Sequence, residues 1–238
     1  MRTVLERLTR EYEAARDPDL AAPMTAYMRD LFPFLGIKSP PRRLLSKRVL
    51  DGVEKPGEAQ LTEVALACWA LPEREYQHFA VDWLRGHAEV LTPAFLPTAQ
   101  LLITTKSWWD TVDELASDVV GVMVRHHPGL LSTMDAWAAG SDPAVGWPAA
   151  SPRASEIPEL WLARTAILHQ LRYKAATDTD RLFRYCADNA GHRDFFIRKA
   201  IGWALRQYAK TEPDAVREFV AHEPGLSNLS KKEALKNL

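Results

Sequence analysis

Lys106, Trp109 and Asp113 recur at spacings of three and four in TKSWWDTVD. On an α-helix that spacing gathers them on one face. Trp108, Val112, Leu115 and Val119 then turn the other way, toward a core. A carboxylate beside an aromatic face can stabilise a developing positive charge, the first by Coulomb attraction and the second by its ring quadrupole. The same residues also fit a surface aspartate on a helix with a core tryptophan. In DFFIRKAIGWALRQYAK, Lys199, Trp203, Arg206 and Lys210 recur at +4, +3 and +4. Ile197, Ile201, Ala204, Leu205 and Tyr208 mark the opposite, core stripe. A tryptophan among three cations suits a nucleic-acid surface, where cations neutralise phosphates and the indole packs on a sugar or base. It suits equally a half-buried tryptophan with solvated lysines. A third stretch, WLARTAILHQLRYK, sets Arg164 and Arg172 on one side. Arginine fits bidentate phosphate contact, and a structural salt bridge is the alternative.

Other chemistry lacks its residues. Cys68 and Cys186 are far apart, without CxxC spacing, and fit a reducing cytoplasm. His126 and His127 are adjacent and cannot share a helix face. No HxxxH or calcium-loop spacing occurs, so neither a metal nor a cofactor is expected. GxGxxG, GxxxxGK[ST] and GxSxG are all missing, which argues against hydride transfer, phosphate-loop hydrolysis and α/β-hydrolase chemistry.

The elements that must hold these residues read as helices. Period 3.6 runs almost throughout the 238 residues, and sustained alternation does not occur. Ser39-Pro40 and Thr92-Pro93 read as capped helix starts, and Ser230-Lys231-Lys232-Glu233 as a capping box. About 12 helices in successive pairs, loosely recurrent at roughly 35–40 residues, predict an all-α superhelical solenoid with a concave face. One domain over residues 1–238 is expected. Within it, Gly140–Pro158, with four prolines, reads as a long surface loop, and Arg153 or Trp147 are its candidate DNA contacts. The longest apolar run, Val64–Leu71, is too short to span a membrane, and the charged N-terminus predicts no leader peptide.

The net charge of −1 conceals strong segregation. Residues 161–210 carry ten bases and four acids, whereas residues 51–90 carry three bases and eight acids. Lys38, Arg42, Arg43, Lys47 and Arg48 fall in 36–50, a stretch without an acid. Local fields of this kind steer partners more than the total does.

PMTAYMRDLFPFLGIKSPPRR, LPEREYQHFAVDWL, TKSWWDTVD, RTAILHQLRYK, FFIRKAIGWALRQYAKTEPD and LSKKEALK together resemble the AlkD family of DNA alkylation-repair glycosylases, over about residues 18–238. The resemblance implies HEAT-like repeats whose concave basic face holds duplex DNA. It implies hydrolysis of the glycosidic bond of cationic alkylated purines such as 3-methyladenine and 7-methylguanine, without a base-flipping pocket. It places the family's catalytic aspartate on Asp113, its two tryptophans on Trp109 and Trp203, and its arginine near the lesion on Arg164. Tyr27 matches a family tyrosine at the site. Arg42, Arg43, Lys47, Lys106, Arg172, Lys199, Arg206 and Lys210 are then expected along the DNA backbone. No lysine is placed as a Schiff-base nucleophile, so the strand is expected to stay intact. A monomer acting on chromosomal DNA in the cytoplasm, with no membrane partner, completes the expectation. The competing readings are a non-catalytic DNA-binding relative and a helical scaffold for a protein partner.

Overall fold

A computed structural model describes residues 2–140 and 158–238. The Pro-rich segment expected as a loop, with Trp147 and Arg153, lies outside the described residues apart from its ends. Fourteen α-helices and no strand occur among the described residues. They form two compact units, Met1–Leu91 and Thr92–Leu238. No helix among the described residues is long and apolar enough to cross a membrane.

The first unit contains α1 (Arg2–Ala14), α2 (Pro18–Tyr27), α3 (Ser39–Val49), α4 (Glu58–Ala70) and α5 (Arg74–Arg85). Helix α1 packs on α3 and α4, and α4 on α5. Leu8, Leu35, Leu61, Ala65 and Leu84 are wholly buried there. Tyr12 stacks on Tyr76 at 5.6 Å and shares a hydrogen bond with Ser46 at 2.8 Å, so its polar tip is satisfied inside the core. Asp17 caps α2 by accepting from the N–H groups of Asp19 and Leu20, just ahead of Pro18 at the first helical position.

Between α2 and α3 the chain makes a tight excursion. Arg29 and Asp30 adopt left-handed φ of 56° and 59°. The buried Glu75 carboxylate then accepts from Leu35, Gly36 and Ile37 N–H at 2.9, 2.9 and 3.0 Å. Gly36 has φ +94°, and a Cβ there would lie 2.0 Å from the Asp17 carbonyl oxygen. Gly36→Ala is therefore expected to cost about 2–4 kcal/mol and lower Tm by roughly 5–15 °C. A thermal melt checks this, and an unchanged Tm would show that the segment does not depend on the glycine.

The second unit contains α6 (Leu96–Thr104), α7 (Trp109–Glu114), α8 (Gly121–His126), α9 (Leu131–Ala138), α10 (Pro158–Leu168), α11 (Thr179–Asp188), α12 (Phe195–Tyr208), α13 (Pro213–His222) and α14 (Asn228–Ala234). A wide π-type segment, Leu115–Val120, joins α7 to α8 without a break. Such bulges re-aim side chains at their ends. Helix α10 is the pivot: it packs on α6, α7, α9, α11 and α12, and every residue from Ala163 to Leu168 is buried. A helix apolar on most sides belongs in a core.

Two expected helix starts move. Ser39 is already helical, with Lys38 in the cap position and no side-chain cap. Helix α14 begins at Asn228, capped by Ser227, which accepts from Ser230 N–H at 3.1 Å. Ser230 thus lies inside the helix rather than at its cap and donates to the Arg198 carbonyl at 3.0 Å. Glu233 is therefore not the fourth residue of a capping box and reaches elsewhere.

Candidate active site

Asp113 sits at the end of α7, just before the wide segment that follows. Its carboxylate receives a fork from Arg164 on α10, Nε to Oδ1 at 2.6 Å and Nη2 to Oδ2 at 2.7 Å. The remaining guanidinium nitrogen, Nη1, donates to the Phe196 carbonyl at the start of α12. One arginine thereby ties α7, α10 and α12 together. The Asp113 side chain is 13% exposed and that of Arg164 5%, so the pair is largely interior. Burial pushes the Asp113 carboxyl above the usual aspartate range; Arg164 opposes this, and Asp110 adds to it. A two-point fork fixes both position and orientation of an acceptor.

Beneath the pair lies an aromatic cluster. Phe196 meets Trp108 edge-on at 4.9 Å and Trp161 at 5.1 Å, and the Arg164 guanidinium stands 5.9 Å from the Phe196 ring. Trp108 and Trp161 are buried. Trp109 is half-buried, one turn ahead of Asp113 on the same helix. Trp203 is half-buried on α12, between Lys199 and Arg206 in sequence.

The remaining expected residues fall into distinct settings. Lys106 is not on the helix of Trp109 and Asp113; it occupies the preceding turn with left-handed φ of 50°. Arg164, expected near the DNA, is placed as an internal support for the carboxylate. Arg172 lies beyond the end of α10, exposed, and pairs with Asp118 through two bonds of 3.0 and 3.1 Å. Lys199 and Arg206 both engage Glu233. Lys210 is exposed beyond α12 and donates to Gln207 at 2.8 Å. In the first unit, Tyr27 is 72% exposed at the end of α2, and Arg43 and Lys47 are exposed one turn apart on α3. Arg42 is only 5% exposed and ion-pairs Asp82 at 2.8 Å, which makes it an internal strut rather than a phosphate contact. Among the described residues no group of three His, Cys, Asp or Glu is arranged to hold a metal ion.

Sequence periodicity did not reveal Phe196, Asp118 or Glu233 as partners. Phe196 and Glu233 left only a trace, in the motifs FFIRKAIGWALRQYAKTEPD and LSKKEALK.

The family model described as DNA alkylation repair enzyme matches residues 8–145 and 154–238. The gap between the two matches falls inside the Pro-rich segment. A predicted DNA alkylation repair enzyme from Enterococcus faecalis is similar over 94% of this chain and 96% of its own, at 32% identity and a TM-score of 0.77. The smu.31 structure from Streptococcus mutans UA159 shares the fold, with 16% identity, a TM-score of 0.57 and coverage of 81% of this chain and 90% of that one. The comparison with curated proteins gives no match. Matching over nearly its whole length and folding alike, the chain belongs to the DNA alkylation repair enzyme family and has a role in DNA repair.

Proposed function

We propose that the protein is a monofunctional alkylpurine DNA glycosylase. It hydrolyses the glycosidic bond of cationic alkylated purines, such as 3-methyladenine and 7-methylguanine, in duplex DNA, without drawing the base into a pocket. The observation that carries this reading is the largely buried Asp113 carboxylate, held in a two-point fork by the interior Arg164.

The chemistry asks for little else. Alkylation on a ring nitrogen makes the base a positively charged leaving group. As the glycosidic bond breaks, its electron pair neutralises the base and the sugar becomes oxocarbenium-like. Asp113 stabilises that cation and orients the water that adds to C1′; the water's proton is lost to the carboxylate or to solvent. Pre-positioned charge is effective because it does not reorganise during the reaction. Arg164 is the positioning residue. Trp109 and Trp203 offer their ring faces to the sugar. In the second unit, Lys106, Arg172, Lys199, Arg206 and Lys210 are the backbone-holding cations of this reading; Tyr27, Arg43 and Lys47 are the DNA-contact candidates of the first unit.

The test is product analysis on methylated duplex DNA: free methylpurine and an abasic site in an unbroken strand are expected. Trp109→Ala and Trp203→Ala are each expected to slow release about tenfold, the scale of a desolvated cation–π contact. Rates equal to wild type in both would remove the rings from the mechanism. Duplex binding without any base release would favour a binding module instead.

A further inference from the structure

Glu233 on α14 pairs with two cations of α12. On α12, Lys199, Gly202 and Arg206 follow one another at +3 and +4, so they line one face with Trp203 beside them. The Glu233 carboxylate lies across this face. Oε2 takes Lys199 Nζ at 2.7 Å, and Oε1 takes Arg206 Nη1. Gly202 makes the approach possible, since a Cβ at that position would come within 2.5 Å of the Glu233 Cβ. Helix α14 is also held to α12 by contacts other than the carboxylate. Its backbone lies against Gly202, and Ser230 Oγ donates to the Arg198 carbonyl. The carboxylate is left with a different job: an anion that bridges two cations two helical turns apart, beside Trp203.

We propose that Glu233 stands in for a DNA phosphate in the DNA-free protein and sets how weakly undamaged duplex is held. The inference rests on the glycosylase reading only in requiring that this face of α12 meets DNA. With Glu233 present, the trio carries a net charge of +1, from two cations and one anion. A phosphate that enters must displace the carboxylate, so each encounter with ordinary DNA loses part of its electrostatic gain. The cations meanwhile stay ordered on either side of Trp203. A protein that must leave undamaged sites quickly benefits, because phosphate contacts carry no lesion information.

The experiment is the salt dependence of undamaged-duplex binding, by fluorescence anisotropy, for wild type, Glu233→Gln and Glu233→Ala. Alanine keeps the Cβ that packs on Gly202. Both variants are expected to bind undamaged duplex roughly five- to tenfold more tightly at low salt. Their log K against log salt slopes should steepen by about 0.9 for each added phosphate contact. Because the contact carries no lesion information, a similar gain is expected on a methylated duplex. Equal or weaker binding with an unchanged slope would overturn the proposal and make Glu233 a strut. Failure of wild type and variants alike to bind duplex at low salt would overturn the DNA reading itself, and this inference with it. If neither variant folds, the wild type answers: the Glu233 carboxyl carbon resonance is expected to shift on titration with undamaged duplex, and a static resonance would contradict the exchange.

Discussion

Asp113→Asn is expected to slow release of free methylpurine about 100- to 1,000-fold, the cost of removing one preorganised electrostatic group at a reacting centre. Duplex binding should change by no more than about twofold, because the group acts on the transition state and not on the ground state. Asparagine fills the same volume and still offers an oxygen to Arg164. It removes the charge. The glycosidic bond would then break with no anion facing the sugar, while the α7–α10 contact persists in weakened form. Single-turnover rates on saturating enzyme separate the two effects. Equal rates would remove Asp113 from the chemistry.

Arg164→Met is expected to cost about 3–5 kcal/mol, the scale for stripping one member from a buried ion pair, and so to lower Tm by roughly 6–20 °C. Two groups lose their donor: the Asp113 carboxylate and the Phe196 carbonyl. The variant also has a signature that lost packing would not produce. In the proposed mechanism Asp113 works as a carboxylate, so activity is expected to fall as pH drops through its pKa. Burial already raises that pKa, and Arg164 is the opposing influence. Without Arg164 it climbs further, and the acid limb of the pH–rate profile moves to higher pH. The sign for stability follows from the same shift. A carboxyl whose pKa is raised on folding is best tolerated when protonated, so the variant's deficit should shrink toward acid pH. Arg164→Lys keeps a cation but loses the fork and is expected to fall between the two. An acid limb that stays in place would make Arg164 a packing residue only.

Helical periodicity sorted inward from outward positions around these residues. It separated Trp108, buried, from Trp109, half-buried, and it turned Ile197, Ile201 and Leu205 inward on α12. Spacing on one helix determines a face, because 3.6 residues make a turn regardless of what lies opposite. It says nothing about the partner across the gap. Arg164 finds Asp113 fifty-one residues away, and Lys199 finds Glu233 thirty-four residues away. Arg42 reads as a surface cation in a basic run until its burial against Asp82 is seen. Lys106 shares a helical register with Trp109 only on paper, since the chain turns through a left-handed residue before α7 begins. The Ser230–Glu233 spacing satisfies a capping-box pattern, yet Ser227 reaches the cap position first and leaves Glu233 to face α12.

A duplex carrying one 7-methylguanine decides whether the forked carboxylate drives base loss. Wild type and Asp113→Asn, each saturating and each verified to bind, are followed by the appearance of free 7-methylguanine. Rapid release by wild type, at least about 100-fold slower in the variant and with the strand unbroken in both, is the predicted result. Release at equal rates, or none from a wild type that binds the duplex, would contradict the assignment of Asp113 as the catalytic carboxylate.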